Sequence, residues 1–348
     1  MGTPSPAITE TGCTTAVGTL ALISNTSGCL NTAIGYAALR INTSGSRNTA
    51  SGDSALSSNT TGFSNTANGY AALLFNTAGI YNTASGDGAL VSNTTGSDNT
   101  ANGYAALTSN RTGSDNTANG YAALYSNTTG IYNAASGFRA LYSNTIGTHN
   151  TAHGVAALLS NTIGNLNTAT GEGALYLNTT GSYNAATGSE ALQANTTGSS
   201  NTASGGYALY TNSTGNYNTA LGFDAGFNAT TGSSNVFLGA DVKGTATDAN
   251  TMRLGLPYSG GLGQNRAFMA GIHGTQLTGP AVPVFVDANG QLGVLTAGIV
   301  GGGGILPPLT GPQQAVLREL QATNAELRAR LARLEALLRA HLAEKSSE

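Results

Sequence analysis

A seventeen-residue unit repeats along most of this chain and constrains its fold more than any other feature. The clearest copy, NTANGYAALTSNRTGSD, runs from Asn99 to Asp115. The Asn that opens each unit recurs every seventeen residues, at Asn31, Asn48, Asn65, Asn82, Asn99, Asn116, Asn133, Asn150, Asn167, Asn184, Asn201, Asn218 and Asn235. A degenerate copy begins at Thr14. A fixed short period of this kind indicates a solenoid, in which each repeat forms one coil and stacks on the next.

The constant positions of the unit indicate turns, short strands and a narrow interior. Counted from the opening Asn, they are Ala at positions 3 and 8, Gly at positions 5 and 15, Leu at position 9 and Asn at position 12. Glycine allows tight turns and close backbone contact, and Asn-Thr-Thr-Gly is a turn sequence. The stretches Thr-Ala-x-Gly and Ala-Leu-x-x have the length of strands, and alternation would point some residues inward. Stacked Asn side chains would form hydrogen-bonded ladders.

The fold class that follows is an all-β solenoid, a flattened parallel β-roll with about seventeen residues per coil. Thirteen to fourteen coils between Thr14 and Gly239 would stack to roughly 60–65 Å, at about 4.8 Å per coil. Helical repeats are the alternative, but they are usually longer and do not carry two Gly in seventeen residues. The inward set of Ala, Leu and Gly buries little apolar area for each ordered residue. Association of several rolls side by side would compensate for this.

The composition excludes several classes of protein. Charged residues make up 8% of the chain, the net charge is -3 and no basic block is present, so we expect no nucleic-acid partner. No apolar run is long enough for a membrane span. No secretory signal is visible between Met1 and Glu10. Cys13 and Cys29 lie sixteen residues apart, which puts them on neighbouring coils as either a disulfide or two free thiols.

Beyond the repeat, the chain changes character twice. Residues 282–295 predict a β-hairpin around Asp287-Ala288-Asn289-Gly290, and a Gly- and Pro-rich stretch then reads as a linker. The predicted domains are an N-terminal segment (1–13), the β-roll (14–239), a β-rich neck (240–296), the linker (297–312) and a coiled coil (313–345).

The last domain shows a heptad pattern. Apolar residues alternate at spacings of three and four, which is typical of a coiled-coil seam. The predicted seam and its flanking ion pair, which would hold the oligomer together, comprise Leu317, Leu320, Asn324, Leu327, Arg330, Leu331, Leu334, Glu335 and Leu338. Residues 330–335 resemble the known trimerisation motif of short coiled coils, whereas Asn324 at an a position favours dimers. We expect a trimer, because the narrow solenoid interior also favours association.

Two stretches resemble known families. The stacked Asn-Thr-Ala-x-Gly-x-x-Ala-Leu units resemble the head repeats of trimeric autotransporter adhesins, although those repeats are usually shorter, and this implies trimers of left-handed β-rolls. Residues 250–295, with NTMRLG, GQNRAFMAGIHG and VFVDANGQLG, resemble the region before the endosialidase-type chaperone of phage tail fibres and tailspikes. The self-cleaving Ser and Lys pair of that chaperone should follow Leu295. The chain has only Lys243 and Lys345, so we expect no self-cleavage.

No catalytic constellation stands out, and we expect no enzyme, cofactor or metal. His149 and His153 are four residues apart, which in a β-roll does not place them on one face. His341 would gather three imidazoles in a trimer, as a polar layer or an ion site. Tyr at position 6 forms a candidate ladder for weak surface recognition of sugars, and side-chain packing is the alternative. This ladder comprises Tyr36, Tyr70, Tyr104 and Tyr121.

These features predict a homotrimeric extracellular fibre, of a tail-fibre or cell-surface kind, that is not an enzyme. The chain itself is the expected partner. Open end strands would allow end-to-end polymerisation. The first alternative is an adhesin that binds a surface glycan or receptor. The second is an ice-binding solenoid, because ordered Thr and Asn arrays can organise water.

Overall fold

The computed structural model describes residues 8–11, 13–255, 285–286 and 292–293, together with Glu326 and Arg330. The chain divides into two compact units, Met1–Phe268 and Met269–Glu348. The first contains one sixteen-stranded sheet. Its strands are β1 (Ile8–Thr11), β2 (Thr14–Val17), β3 (Thr32–Ile34), β4 (Thr49–Ser51), β5 (Thr66–Asn68), β6 (Thr83–Ser85), β7 (Thr100–Asn102), β8 (Thr117–Asn119), β9 (Ala134–Ser136), β10 (Thr151–His153), β11 (Thr168–Thr170), β12 (Ala185–Thr187), β13 (Thr202–Ser204), β14 (Thr219–Leu221), β15 (Val236–Leu238) and β16 (Met252–Leu254).

The strands from β2 to β16 are parallel and follow one another in chain order. Ala101 in β7 pairs with Ala118 in β8, seventeen residues later, and the same step joins each neighbouring pair from β2 to β15. Residues 13–255 contain no helix. The predicted parallel β-solenoid with about seventeen residues per turn is therefore confirmed, with about 14 turns. The predicted left-handed sense of the coil stays a prediction.

Each coil contains a single strand, which covers positions 2 to 4 and in β2 also position 1. The expectation that the Ala-Leu stretch also forms a strand is wrong. Ala105 at position 7 and Leu107 at position 9 have φ values of 52° and 54°, which are left-handed and not extended. The backbone still bonds from coil to coil, since the Leu107 N–H donates to the Ala123 carbonyl at 3.0 Å. Positive φ recurs at positions 7, 9 and 17 along the solenoid.

The solenoid interior is both apolar and polar. Ala106 and Leu107 have no exposed surface, and neither do Asn110 and Asn116, at positions 12 and 1. Asn110 Nδ2 donates to Asn93 Oδ1 on the preceding coil at 2.8 Å and to the Gly113 carbonyl at 2.9 Å. The predicted Asn ladders are confirmed, and within residues 13–255 no buried side-chain nitrogen or oxygen lacks a partner. Because each Asn is satisfied by its neighbours, the narrow coil tolerates polar groups at its centre.

The two constant glycines lie where successive coils nearly touch. Gly103, at position 5, has a φ of 132°, and a Cβ added there would lie 2.5 Å from the Gly120 carbonyl oxygen. A Cβ on Gly113, at position 15, would lie 2.4 Å from Asn110 Oδ1. A real Cβ does not come this close to another heavy atom. These glycines are therefore required by stacking, and the one at position 5 also by its backbone conformation.

The N-terminal end of the solenoid carries one additional strand. Strand β1 pairs antiparallel with β2, with Ile8 opposite Val17. Cys13 and Cys29 form a disulfide with a Cα–Cα distance of 5.2 Å, which links the residue before the first coil to position 16 of that coil. The alternative of two free thiols is therefore wrong. Strand β2 is therefore paired on both sides, and β1 is the strand at the edge of the sheet.

At the C-terminal end of the solenoid, two departures from the repeat on neighbouring coils compensate for each other in volume. Phe237 replaces Ala at position 3 and is fully buried, and Gly226 replaces Leu at position 9 on the preceding coil. A Cβ on Gly226 would lie 2.7 Å from the Phe237 ring. The larger ring therefore fills the space that the missing leucine leaves.

The sheet continues past Gly239, where the recognisable repeat ends, to strand β16. There Arg253 pairs with Phe237 in register, which puts a charged residue at the inward position of the last strand. Arg253 Nε donates to Asp248 Oδ2 at 2.7 Å. This hydrogen bond is the main reason that the pKa of Asp248 falls from 3.8 to about 2. An inward charge is a common way to end a sheet without leaving an adhesive edge.

In the second unit, β17 (Phe285–Val286) and β18 (Leu292–Gly293) pair antiparallel, with Val286 opposite Leu292. This confirms the antiparallel pairing predicted for residues 282–295. The predicted coiled coil lies outside the described residues except for Glu326 and Arg330. Both are helical, and their side chains pair at 2.8 Å. The coiled coil stays a prediction.

Candidate functional site

The predicted tyrosine ladder is present only in part. Tyr36, Tyr70, Tyr104 and Tyr121 are all exposed at position 6. Aspartate holds position 6 on the coils that separate Tyr36 from Tyr70 and Tyr70 from Tyr104. Only Tyr104 and Tyr121 lie on consecutive coils, and their rings stack with centroids 5.1 Å apart at 13°. The structure therefore brings two of the four predicted residues together.

Three aromatic residues that the sequence reasoning missed extend this pair. Phe138, at position 6 of the next coil, stacks on Tyr121 at 5.2 Å. Tyr125 and Tyr142 form a second stack at position 10, with centroids 5.0 Å apart at 8°. The signal was present in the sequence, because Tyr125 and Tyr142 are seventeen residues apart. The period alone does not show that positions 6 and 10 border the same surface.

The two stacks form the walls of a groove that runs along the solenoid axis. Its floor is built from position 7, where Gly88, Ala105 and Ala122 are all small, and its volume is about 330 Å³. Asp87 lines one end and Arg139 the other. We call this surface, with walls Tyr104–Tyr121 and Tyr125–Tyr142, the aromatic groove. The small floor residues are suited to their left-handed backbone, since a β-branched side chain would be strained there.

Arg139 closes one end of the aromatic groove. Its guanidinium carbon lies 5.4 Å from the Phe138 ring centre and 5.2 Å from that of Tyr142. It therefore spans the two walls and is held by cation–π attraction to both. Among residues 13–255, no carboxylate lies within salt-bridge distance of Arg139. The groove thus ends in an exposed positive charge that has no counter-ion among residues 13–255.

Stacking limits which ring surfaces can contact a ligand. At centroid distances near 5 Å, parallel rings overlap by their faces, so the faces between coils are covered. No ring among the described residues stacks on the other face of Tyr104, because the preceding coil carries Asp87 at position 6. The same holds for Tyr125, because the preceding coil carries Thr108 at position 10. The end rings of each stack therefore offer a face, Tyr104 and Tyr125 towards the lower-numbered coils and Phe138 and Tyr142 towards the higher-numbered ones, whereas Tyr121 offers its edges.

The other candidate residues do not assemble a site. His149 and His153 are both exposed, and His149 lies against the Tyr132 ring at 4.9 Å. No group of three His, Cys, Asp or Glu side chains that could hold a metal occurs among the described residues. The predicted trimerisation residues lie outside the described part of the chain, apart from Arg330.

No helix in the part of the chain that the structure describes is long and apolar enough to cross a membrane. No family model matches the chain, and no curated protein or solved structure matches it. The resemblance to adhesin heads and to tail-fibre necks therefore rests on the repeat and on the residues named above.

Proposed function

We propose that this chain is a structural rod, a non-enzymatic homotrimeric extracellular fibre of the tail-fibre or surface-appendage kind. The observation that carries the proposal is the seventeen-residue register that continues without a break from β2 to β15. A coil that contacts only its two neighbours gives a stack whose length depends on the number of copies. Such a stack suits a spacer better than an enclosed active site.

Two features support three chains rather than one. The heptad seam and the motif around Arg330 to Glu335 favour trimers. The solenoid also leaves large side chains exposed at position 17, including Tyr81, Tyr183 and Tyr217, with Tyr217 68% exposed. In the proposed trimer, contact between neighbouring rolls would cover part of this apolar surface and compensate for the narrow interior.

The fibre we propose has a fixed length. Strand β1 and the disulfide cover the first coil, and Arg253 with Asp248 places charge at the last strand. The charge at the last strand disfavours the addition of another sheet edge at that end, which end-to-end joining would require. We therefore propose separate rods and not end-to-end filaments.

Light scattering of the full chain tests this function. We expect a mass of three chains of 34.7 kDa each. The variant Leu331→Asp puts a charge into the predicted seam and should lower the measured mass, because a buried unpaired charge is costly. Ala332→Asp, at the neighbouring outward position b, is the matched control and should remain trimeric. A mass of one chain for the unmodified protein would contradict the proposal.

A second candidate function is ice binding, and the outer face of the sheet favours it. Position 2 carries a file of outward Thr side chains that repeats at about 4.8 Å. The file comprises Thr15, Thr32, Thr49, Thr66, Thr83, Thr100, Thr117, Thr151, Thr168, Thr202 and Thr219, and it is interrupted by Ala134 and Ala185. Regularly spaced hydroxyl and methyl groups can order water. Ice crystals that grow with unchanged shape and rate at high protein concentration would eliminate this candidate.

A further inference from the structure

We propose that the aromatic groove binds a short glycan with one carboxylate, whose neutral end lies at Tyr104 and whose carboxylate pairs with Arg139. This goes beyond the structural role, because a rod needs no ligand. The groove is the part of the described solenoid where free ring faces, a small floor and charges of both signs occur together.

Two free ring faces supply the apolar part of the site. The open faces of Tyr104 and Tyr125 both point towards the lower-numbered coils, one coil apart and on opposite walls. Gly88 and Ala105 leave the floor beneath them low. The C–H face of a sugar ring packs against an aromatic face, because the negative ring face attracts the weakly positive hydrogens. Two staggered faces suit consecutive sugar units in a chain.

Polar groups beside these faces suit sugar hydroxyls. The Asp87 carboxylate lies at position 6 of the coil that the open face of Tyr104 overlooks, and it can accept hydrogen bonds from hydroxyl groups. Thr108 lies at the corresponding place beside Tyr125. Its Oγ1 donates to the Gly88 carbonyl at 3.1 Å, which fixes the hydroxyl and leaves its lone pairs free to accept. A few oriented polar groups among aromatic walls are typical of ligand sites.

Arg139 provides the preference for a carboxylate. Its guanidinium carbon lies within 5.4 Å of the Phe138 and Tyr142 ring centres, and cation–π attraction does not consume the N–H donors. Guanidinium and carboxylate groups form paired, charge-assisted hydrogen bonds. Asp87 at the opposite end would repel a carboxylate there. The two charges therefore fix the direction in which the glycan lies.

The length of the groove sets the size of the ligand. Asp87 and Arg139 lie on coils three steps apart, which is about 14 Å at the strand spacing. This span fits a trisaccharide better than a single sugar. The ligand therefore has one acidic sugar at the Arg139 end, followed by two neutral sugars.

Sialyllactose is a suitable probe, since it carries one carboxylate on the sugar that ends a lactose unit. Saturation-transfer NMR and calorimetry with the full-length protein should detect binding of sialyllactose and at least tenfold weaker binding of lactose. Arg139→Gln should remove this difference by weakening sialyllactose alone. Tyr104→Ala should weaken both sugars at least tenfold.

Tyr70→Ala is the matched control, because Tyr70 is also at position 6 but lies outside the groove. It should leave both affinities unchanged, and circular dichroism should show that all variants fold. The proposal is overturned if unmodified protein shows no saturation transfer from millimolar sialyllactose. It is also overturned if lactose binds equally well, or if Arg139→Gln and Tyr104→Ala bind as the unmodified protein does. None of these outcomes changes the oligomeric mass, so the test is independent of the proposed rod.

Discussion

Glycine at position 5 is fixed by two separate requirements. Gly103 has a φ of 132°, and its α-carbon faces the Gly120 carbonyl with no room for a methyl group. We expect Gly103→Ala to destabilise the solenoid by roughly 2–4 kcal/mol, because strain and backbone overlap add. Thermal unfolding followed by circular dichroism would measure the loss as a lower midpoint.

Gly88→Ala is the control for this change. Gly88 also has a positive φ, of 64°, but a Cβ there meets nothing within 4 Å, and other coils carry Ala at the same position. The midpoint should therefore change little. If the two variants unfold at the same temperature, coil-to-coil contact is not what requires glycine at position 5.

Leucine at position 9 is explained by its backbone as much as by its volume. Leu107 is fully buried with a φ of 54°, and β-branched residues are outliers in that conformation. Leu107→Ile keeps the volume but should cost roughly 1–3 kcal/mol of strain. Leu107→Met should cost less than about 1.5 kcal/mol. Denaturant unfolding of both variants tests the order, and an equal or smaller cost for Ile would refute the explanation.

The same backbone explains why only part of the groove could be predicted. Tyr104 and Tyr121 share one repeat position, so the period alone places them side by side. Tyr125, Tyr142 and Arg139 occupy other positions, and their closeness depends on the alternately left-handed segment from position 7 to position 9. Nothing in ordinary strand alternation predicts that segment, because leucine rarely adopts a positive φ.

At the scale of the element, the Asn ladder provides the polar half of the core. Asn110 both donates to Asn93 and accepts from Asn127, at 2.8 Å in each case. Asn110→Asp removes the amide donors and places acceptor oxygens against Asn93 Oδ1 and the Gly113 carbonyl. We expect the free energy of unfolding to fall by roughly 2–4 kcal/mol at neutral pH, because the new carboxylate is a buried charge without a partner.

Asn68→Asp is the matched control for the ladder. Asn68 is the exposed position 4 residue of β5, so water can solvate the new charge. Hydrogen exchange should show faster opening of the coils around residue 110 in Asn110→Asp and no change in Asn68→Asp. Equal protection in the two variants would mean that the ladder contributes little.

The ion pair between Asp248 and Arg253 at the last coil makes the stability of the fold depend on pH. The hydrogen bond from Arg253 depresses the pKa of Asp248 from 3.8 to about 2. A depressed carboxyl pKa stabilises the fold above pH 3.8, and this contribution disappears as the pH falls through about 2. Asp248→Asn should therefore cost about 1–2 kcal/mol at pH 7, a value reduced because Arg253 is partly exposed, and almost nothing near pH 2.

Thermal unfolding between pH 2 and pH 7 would follow the difference between this variant and the unmodified chain. Asp98→Asn is the control and should show no such trend, because Asp98 is exposed at position 17 and forms no ion pair with the other described residues. A difference that stays constant with pH would show that the pair does not act through the Asp248 charge.

The sheet and its period could be predicted from the sequence, whereas its ends could not. The constant step of seventeen residues, for example from Ala101 to Ala118, predicts the parallel register. The covering strand β1 lies in a segment without repeat residues, and the exchange of Leu for Gly226 and Ala for Phe237 spans two coils. Such compensation becomes visible only when the neighbouring coils are placed together.

The free energy of unfolding of the whole solenoid should be the sum of a contribution from each coil and a contribution from each interface between neighbouring coils. Removal of two complete repeats, residues 167–200, joins Leu166 to Asn201 and keeps every ladder in register. We expect this shortened chain to fold, with a slightly lower midpoint and a solenoid shorter by about 10 Å. Small-angle scattering would measure the change in length.

Removal of residues 167–192 deletes fewer residues but should be more harmful. It leaves eight residues, Gln193 to Ser200, that lack the strand, the position 5 glycine and the buried Ala and Leu of a coil. The ladders on either side would then meet across an incomplete turn, and their side chains and carbonyls would lose partners. A lower midpoint than that of the longer deletion is expected. If the shorter deletion is the more stable, the coil is not the unit on which the stability of this molecule depends.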